Sequence, residues 1–505
     1  MAETGRHRNA IQRTGGPVSG TLASDILAAA RLRPAAVALA GMPGEDADVS
    51  YGELAALAER TGRTLDTLFA GGRGPCGHRP LALVAAKTPA SIALILACLS
   101  AGRPLLLLSP DLGEETTATL VRRAGARALA TVDGGRLAWT TLPDGAESGP
   151  AVPEGTRLVL TTSGSTGVPK LVPLTAGALD AFTAWAGEFL GLDTQSRVLN
   201  HAPLNFDLCL LDIWATLRHG GRVLLVDPAR AAEPAYLARW VRLGRPHVVQ
   251  GVPLLFRLLA EAGARLRGDA VRHVLLTGDH VPRQVRRQLP ELFPHARLHN
   301  VYGCTETNDS MVHGFDGAEA ADGEVLPLGE PVPGTRIAVL DGEHEVTGPG
   351  SGELLVSTPF QTPGYLAEPA ASDRFRERDG RIWYRTGDLV ERGADGRIRL
   401  VGRTDFQVKV RGVRVNVEEV ERVLTDRPEV AEAAVVALPD PEAGVALHAF
   451  VRTSGAEVTG LQLRTLCAAR LNRVAIPSRF HLMAGPLPVG PTGKVDRRRL
   501  QEQVT

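Results

Sequence analysis

Apolar and polar positions follow one another along the chain in two patterns. Short apolar runs such as Leu81–Ala85 and Pro104–Leu108 are typical of buried strands. Helix-length segments such as Ala90–Leu99 and Pro234–Leu243 lie between such runs. Further strands are predicted at Arg157–Thr161, Val198–Asn200, Val223–Val226, His247–Gly251, Val274–Thr277 and Leu298–Val301, and further helices at Leu211–Leu217 and Leu254–Ala262. Strands separated by helices predict an α/β fold with parallel sheets, because parallel strands need long crossover connections.

The pattern changes after about Gly329, which predicts more than one structural unit. Short strands punctuated by Gly and Pro predict a β-rich subdomain over about residues 330–403, with strands at Arg336–Leu340, Gly352–Val356 and Ile398–Val401. Residues 404–505 then carry strands (Asp405–Arg411, Val430–Ala437) around a helix (Val417–Thr425), which predicts a small α+β lid domain. We therefore expect a flexible tail at residues 1–20, a large core at 21–403 and the lid at 404–505, since 505 residues exceed a single core.

Composition and charge exclude several classes of partner. The 56 basic and 56 acidic residues cancel, so no basic surface for nucleic acid or an anionic membrane is expected. The longest apolar stretches, such as Leu105–Leu108, are too short to span a bilayer. The five cysteines form no CxxC pair, which argues against a zinc site or a disulfide framework. Residues 1–20 lack the apolar core of a signal peptide, so we expect a cytoplasmic protein.

A loop rich in glycine and hydroxyl residues follows the predicted strand Arg157–Thr161. It reads TTSGSTGVPK from Thr161 to Lys170. The backbone N–H groups and hydroxyls of such a loop can surround phosphates, and Lys170 adds a suitable positive charge. The spacing of the glycines and the lysine differs from that of a GxxxxGK[ST] P-loop. A plain surface loop is the alternative, but the ordered string ending in Pro-Lys favours a phosphate site.

The loop resembles the phosphate-binding signature of the adenylate-forming superfamily. This superfamily includes acyl-CoA synthetases, luciferases and the adenylation domains of nonribosomal peptide synthetases. Other segments resemble its motifs in the same order: Ser50–Leu54, Leu99–Gly102 with Ser109–Asp111, Asn300–Thr307, Gly352–Leu354, Tyr384–Leu389, Gly402–Gly412 and Pro491–Asp496. So many matches in order make chance a poor explanation. Cys304 departs from the pattern, because most members have proline there.

The resemblance implies an enzyme that uses ATP and Mg²⁺. The phosphates of ATP would be held by Thr161, Thr162, Ser163, Gly164, Ser165, Thr166, Gly167 and Lys170. The adenosine part would be contacted by Asn300, Tyr302, Gly303, Thr305, Asp388 and Arg403. Glu306 would bind Mg²⁺, since a carboxylate suits a hard cation beside phosphates. The alternatives are an exposed loop carboxylate for Glu306 and a turn residue for Asp388.

The resemblance also assigns the catalytic lysine and a hinge. Lys494 would stabilise the negative charge that develops on the phosphoryl oxygens during adenylation. The alternative is a solvated surface lysine beside Arg497–Arg499. Asp405 falls at the hinge position, about which the lid would rotate after adenylation and withdraw Lys494.

The substrate is indicated by the segment Asn205–Cys209, which resembles the FDxS motif of amino-acid-activating members. There Asp207 would pair with the substrate α-ammonium, although a helix N-cap is the alternative. The other implied pocket positions are Leu208, Leu211, Gln250, Leu275, Thr277, Val301, Asp309 and Ser310. Their polar members favour a polar or cationic side chain. The run Leu204–Trp214, however, resembles stand-alone prolyl-AMP ligases, so a proline-like substrate stays open.

We therefore expect an amino-acid adenylating ligase of the nonribosomal-peptide type, in natural-product biosynthesis. The chain ends soon after Lys494, so the product is expected to pass in trans to the phosphopantetheine arm of a separate carrier protein. An acyl- or aryl-CoA ligase is one alternative, which Asp207 disfavours. A non-catalytic protein that retains the fold is another, which the intact ATP motifs disfavour.

Overall fold

The computed structural model describes residues 20–68, 79–142, 152–162, 169–263, 266–279, 281–322, 325–367, 373–404, 407–410, 413–440, 444–455, 458–471, 475–490 and 494–504. Residues 1–19 of the predicted tail, the loop residues Ser163 to Gly167 and the predicted hinge Asp405 lie outside the described residues. Strand positions and helix positions below refer to this part of the chain.

The larger of two α/β sheets has nine described strands. In spatial order they are Glu330–Pro331, Asn308–Phe315, Arg297–Cys304, His273–Leu276, Val248–Gly251, Arg197–Asn200, Arg222–Leu225, Val37–Ala40 and Val49–Ser50. The six strands from Arg297–Cys304 to Val37–Ala40 pair in parallel, and the outer strands pair antiparallel. Apolar runs in these parallel strands are covered on both faces, as parallel sheets require.

A second α/β sheet is built from six described strands. Their spatial order is Arg136–Thr141, Ala128–Asp133, Leu81–Val84, Leu105–Leu108, Thr156–Thr162 and Lys170–Thr175. The four inner strands are parallel, and each outer strand is antiparallel to its neighbour. Lys170 pairs with Thr162 across the antiparallel hairpin that holds the predicted phosphate loop.

The two remaining regions match the predicted change of pattern. The β-rich region is an antiparallel sheet of Arg336–Asp341, His344–Glu345, Gly350–Ser357, Phe375–Arg378, Arg381–Arg392 and Ile398–Arg403. The C-terminal small domain carries the hairpin Gln407–Val410 with Val413–Asn416, and a sheet of Val430–Asp440, Gly444–Thr453 and Arg479–Met483. The mixed α/β fold with a β-rich region and a small C-terminal domain confirms the predicted fold class.

Helices cover the sheets. The described α-helices are Leu22–Leu32, Tyr51–Leu68, Pro89–Ala101, Glu114–Arg123, Ala176–Leu190, Thr216–Arg218, Pro234–Gly244, Pro253–Glu261, Arg283–Leu292, Gly317–Ala321, Val417–Thr425, Gly460–Arg470 and Arg497–Glu502, with a 3₁₀ turn at Pro228–Arg230. Within this part of the chain, no helix combines the length and the apolar character that a membrane span needs.

The helix Pro89–Ala101 shows how local sequence fixes an element. Thr88 caps its N-terminus by accepting a hydrogen bond from the Ser91 N–H at 3.2 Å, and Pro89 occupies the first turn. Gly102 ends it with φ 67°, a left-handed conformation that favours glycine. Ala90 to Leu99 are all buried, so this helix joins the core that both α/β sheets share.

One predicted helix has a different form. The segment Leu211–Leu217, expected to be α-helical, is a π-helix over Leu210–Ala215 followed by the short α-helix Thr216–Arg218. Asp212 lies in the wide turns with none of its surface exposed. The spacing of apolar residues does not distinguish an α-helical turn from a π-helical turn. In the π-helix the carboxyl of Asp212 makes the polar contacts described below.

Arg218 ties this region to the N-terminal helix through a buried cluster. Its guanidinium donates to Asp25 at 2.9 Å, to the carbonyls of Asp180 and Gly20 at 2.7 Å each, and to the Thr183 hydroxyl at 2.9 Å. The Arg218 side chain is 4% exposed and that of Asp25 is 18% exposed. Removing one partner of a buried ion pair is costly, because the other charge stays buried without compensation.

Replacement of Arg218 by methionine is therefore expected to lower the free energy of unfolding by about 3–5 kcal/mol. Urea unfolding followed by tryptophan fluorescence measures the change. Arg63→Met is the matched control, because Arg63 pairs with Glu59 on the surface, where the two side chains are 66% and 70% exposed. The control should lose about 0–1 kcal/mol, and equal losses in the two variants would contradict the assigned role of Arg218.

Candidate active site

A cavity opens where four parallel strands end. The strands Arg197–Asn200, Val248–Gly251, His273–Leu276 and Arg297–Cys304 are consecutive neighbours, so their carboxyl ends lie at one edge of the larger sheet. Clefts at this edge are the usual ligand sites of open α/β sheets. The cavity measures about 1260 Å³, and its wall is completed by the β-rich region and by residues of the C-terminal domain.

Asp207 stands on the turn that follows the strand Arg197–Asn200, and it faces the cavity. Its Oδ2 accepts a hydrogen bond from the Thr305 hydroxyl at 2.7 Å. Burial raises the pKa of Asp207, although Thr305 and the nearby charge of Lys494 oppose this. The N-cap of the following π-helix is Cys209 and not Asp207. The helix-cap alternative for Asp207 is therefore not what the structure displays.

The predicted pocket positions divide into two groups. Cavity-lining positions are Leu208, Gln250, Thr277, Val301 and Asp309. The other three, Leu211, Leu275 and Ser310, have no exposed surface and do not line the cavity. The Ser310 hydroxyl is instead bonded to the Asn308 carbonyl at 3.0 Å.

Gln250 is held by the buried carboxyl of Asp212. Its Nε2 donates to the Leu208 carbonyl at 3.1 Å and to Asp212 Oδ1 at 3.3 Å. The carbonyl acceptor fixes the orientation of the side-chain amide, because only the NH₂ group can donate. Gln250 is 2% exposed, and its Oε1 has no hydrogen-bond partner within the described residues. This oxygen is itself buried, so it is an unsatisfied acceptor inside the wall of the pocket.

The same carboxyl also holds the neighbouring strand. Asn200 Nδ2 donates to Asp212 Oδ2 at 3.2 Å and lies 3.4 Å from the Cys209 sulfur. Lys87, which follows a strand of the second sheet, donates to the carbonyl of His201 at 2.9 Å. Burial lowers the pKa of Lys87 to about 8. Sequence reasoning missed this network, since its members share no spacing along the chain.

Asp309 adds a second carboxyl to the pocket. Burial and, to a smaller extent, the negative charge of Asp207 together raise the pKa of Asp309 to about 7. Two carboxyls in one cavity favour a bound cation. Each carboxylate destabilises the ionised form of the other, and a cation between them relieves that repulsion. Near pH 7 the carboxyl of Asp309 is therefore partly ionised.

Tyr302, Asp388 and Arg403 form a connected group on another wall. The Tyr302 hydroxyl donates to one carboxylate oxygen of Asp388, and Arg403 donates to the other. Burial nevertheless raises the pKa of Asp388. Asn300 Nδ2 donates to the Pro327 carbonyl at 2.8 Å. Gly303 faces the Asn308 carbonyl so closely that a Cβ would lie 2.2 Å from its oxygen, which excludes other residues.

Glu306 and Lys170 meet at a tyrosine that sequence reasoning did not select. The Tyr365 hydroxyl donates to Glu306 Oε1 at 2.6 Å, and Lys170 Nζ lies 4.6 Å from the centre of the Tyr365 ring. Glu306 is 6% exposed, so the exposed-loop alternative does not hold. Tyr384 lies 3.1 Å from the Tyr365 hydroxyl. Both tyrosines line the cavity, as do Thr161 and Thr162 at the start of the loop.

Tyrosine is rare in this chain, which makes its concentration in the cavity noticeable. The chain has five tyrosines, and three of them, Tyr302, Tyr365 and Tyr384, line this cavity. Such clustering of a rare side chain suits a site that binds a flat, partly polar ligand.

Lys494 reaches the cavity from the C-terminal domain. The Gly490 N–H donates to the Lys494 carbonyl at 2.8 Å, and an antiparallel bridge joins Val489 to Val495. The positive charge of Lys494 acts on the carboxyls of both Asp207 and Asp388. Lys494 therefore lines the same cavity as both carboxyls and lowers the pKa of each. Among the described residues, no group of three or more His, Cys, Asp or Glu has the arrangement of a metal cluster.

The chain is similar to curated proteins from two bacteria. The chain is 33% identical over 373 residues to an L-proline--[L-prolyl-carrier protein] ligase of Pseudomonas fluorescens, an alignment that covers 72% of this chain and 73% of that protein. It is 36% identical over 352 residues to a ligase of the same name from Streptomyces coelicolor, covering 68% of this chain and 65% of that protein, just under two thirds.

A solved structure supports the fold. Klebsiella oxytoca NpsA, in complex with 3-hydroxyanthranilyl-AMSN, superposes with a TM-score of 0.77 at 23% identity, covering 96% of this chain and 99% of that one. The family model described as AMP-binding enzyme matches residues 27–366, and the one described as AMP-binding enzyme C-terminal domain matches residues 419–494. Since the first match alone covers more than half of the sequence, the chain belongs to the family of AMP-binding enzymes, the adenylate-forming ligases.

Proposed function

We propose that this protein converts an amino acid and ATP into an aminoacyl-adenylate and pyrophosphate. It then passes the aminoacyl group to the phosphopantetheine thiol of a separate carrier protein. The observation that carries the proposal is the position of Asp207, a half-buried carboxyl in the same cavity as Lys494 and Asp388. The names of the two ligases to which the chain is similar support the carrier as acceptor.

Asp207 would fix the amino end of the substrate. An α-ammonium group would compensate the half-buried carboxylate, which accepts a hydrogen bond from the Thr305 hydroxyl. The substrate carboxylate would then point toward Lys494. An oxygen of that carboxylate attacks the α-phosphorus, a new P–O bond forms, and the bond from the α-phosphorus to the pyrophosphate oxygen breaks. Lys494 would stabilise the charge on the phosphoryl oxygens.

The residues present fit ATP and Mg²⁺. Tyr302 and Asp388 offer a flat ring and a carboxylate for the nucleoside, and Lys170 adds a cation at the end of the glycine-rich loop. Glu306 would hold Mg²⁺, because its buried carboxylate is a hard oxygen donor on the same wall as Lys170. A bound Mg²⁺ supplies charge neutralisation for the phosphates. The loop residues Ser163 to Gly167 would complete the phosphate contacts.

The second half-reaction would need a different position of the lid. The carrier thiol attacks the carbonyl carbon of the adenylate, a thioester forms, and AMP leaves with the electron pair of the broken C–O bond. We propose that a core at residues 21–403 and a lid at 404–505 rotate about Asp405 between the two steps. Biosynthesis of a natural product from the carrier-bound amino acid is the context that we propose.

Two substrate classes are compatible with the pocket. The carboxyl of Asp309, which lines the cavity, favours an amino acid whose side chain carries a cation or a hydrogen-bond donor. Similarity to two prolyl ligases favours a compact, proline-like substrate. Pyrophosphate exchange over the twenty amino acids, ornithine and a panel of fatty and aryl acids distinguishes them. Exchange restricted to acids without an amine would overturn the amino-acid proposal in favour of a CoA ligase.

Lys494→Ala is expected to slow ATP–pyrophosphate exchange by about 10²–10³-fold, because a preorganised cation is lost from the transition state. The effect should fall on kcat, since Lys494 would act on the developing charge. Arg498→Ala is the matched control, because Arg498 is 81% exposed and pairs with Glu502 on the same helix. Full activity of Lys494→Ala would show that the lysine is a solvated surface residue.

Asp207→Asn is expected to lower kcat/KM for the amino acid by about 10–100-fold, because a charge-assisted hydrogen bond becomes a neutral one. The KM for ATP should stay unchanged, since the adenosine would bind on the wall of Tyr302 and Asp388. Initial-rate exchange assays at varied amino acid and varied ATP separate the two constants. An unchanged kcat/KM for the amino acid would be inconsistent with a pairing of Asp207 and the α-ammonium.

The pH dependence of the KM is expected to identify the side-chain class. Asp309 has a raised pKa of about 7, so its carboxylate is protonated below that pH and charged above it. The KM of a diamino acid such as ornithine should therefore fall by up to about tenfold between about pH 6 and about pH 8. The KM of proline should not fall over this range. Asp309→Asn should remove the dependence, and a dependence that survives would assign it to another group.

A further inference from the structure

Glu432 of the C-terminal domain lies at the boundary with the large body of the protein. It projects from the strand Val430–Asp440, and its Oε1 pairs with Arg257 Nη1 at 2.5 Å. Arg257 belongs to the helix Pro253–Glu261 of the body. The two side chains are 12% and 28% exposed, so the pair is shielded from much of the solvent. Both residues line the cavity described above.

The second oxygen of Glu432 holds the segment that leads to Lys494. Oε2 accepts from the Leu487 N–H at 3.0 Å and from Arg452 Nε at 2.9 Å. These contacts keep the pKa of Glu432 below its usual range, although burial alone would raise it. Glu432 is therefore ionised near neutral pH. One of its oxygens pairs with Arg257 of the body, and the other accepts hydrogen bonds within the lid.

Backbone hydrogen bonds join the residues that follow Leu487 to those around Lys494. Leu487 precedes Lys494 by seven residues, and a bridge joins Val489 to Val495. The Asp496 N–H donates to the Pro488 carbonyl at 2.8 Å. A displacement of Leu487 relative to the body is therefore transmitted to Lys494.

We propose that Glu432 is a positioning residue for Lys494. Through Arg257 it ties the residues around Lys494 to the body and sets where the ammonium group stands over the cavity. This inference rests on the proposed function, in which Lys494 acts during adenylation. A second contact across the boundary, from Gln284 Nε2 to the Arg427 carbonyl at 2.8 Å, does not involve the residues around Lys494. We expect this contact to remain when the ion pair is removed.

Arg257→Gln tests the proposal with the least damage to the lid. It removes the charge on the body, while Glu432 keeps its contacts with Arg452 and Leu487. The kcat of ATP–pyrophosphate exchange should fall between about 10-fold and about 100-fold, because small displacements of a catalytic group have effects of this size. The KM values for ATP and amino acid should change little. Arg257→Lys, which retains a positive charge, should recover part of the rate.

A double variant distinguishes positioning from general stability. If Glu432 acts through Lys494, adding Arg257→Gln to Lys494→Ala should cause no further loss of the residual exchange, which sensitive radiolabel assays measure. Arg498→Gln is the matched control and should exchange at the unchanged rate. Thermal unfolding of each variant confirms that the fold is retained.

The outcomes separate this inference from the proposed function. If the unchanged enzyme catalyses exchange and Arg257→Gln does so at the same rate, this inference is overturned and the proposed function is not. An equal further loss in the Lys494→Ala background would also overturn it, because the ion pair would then act independently of the lysine. No exchange by the unchanged enzyme with any acid would overturn both. A kcat loss that disappears in the Lys494→Ala background supports the proposal.

Discussion

The site depends on a single buried carboxyl that must be satisfied by hydrogen bonds. Asp212 has no exposed surface, and an unpaired group in that position would be costly. Its two oxygens accept from Asn200 and Gln250, which end two adjacent parallel strands. The strand ends, the turn with Asp207 and the π-helix are thereby held in one arrangement. A change at Asp212 would release several walls of the pocket at once.

Charge is distributed unevenly around the cavity. Asp388 is buried and Asp207 and Asp309 are half-buried, and desolvation raises the pKa of all three carboxyls. Arg403 from the β-rich region is bonded to Asp388, and the charge of Lys494 from the lid acts on Asp207 and Asp388. The neighbouring charge that acts on Asp309 is the negative one of Asp207, so a cationic substrate would relieve the repulsion between these two carboxyls. The nucleotide side carries its own arginine, so it has less need of a cationic ligand.

The sequence predicted the elements far better than their contacts. Apolar runs gave the parallel strands, and the ordered motifs gave Glu306, Asp388 and Lys494, which the fold brings to one cavity. Spacing could not predict the contacts of Asp212 or Tyr365, because tertiary packing decides which distant polar groups meet. The burial of Leu275 could not be predicted either. Gln250 lies beside it on the neighbouring strand and lines the cavity, whereas Leu275 does not. Roles of the individual site residues stay predictions.

The π-helix changes how residues in this region should be compared between proteins. Its hydrogen bonds connect each residue to the fifth one along instead of the fourth, so each turn holds more residues than an α-turn. Positions inferred by counting along an α-helix from Asp207 therefore rotate away from the direction expected. Leu211, a pocket position implied by the family resemblance, has no exposed surface and lies in the core. Any library that randomises this wall should choose positions by their direction in space, because numbering offsets from Asp207 would diversify the interior and leave the ligand contacts unchanged.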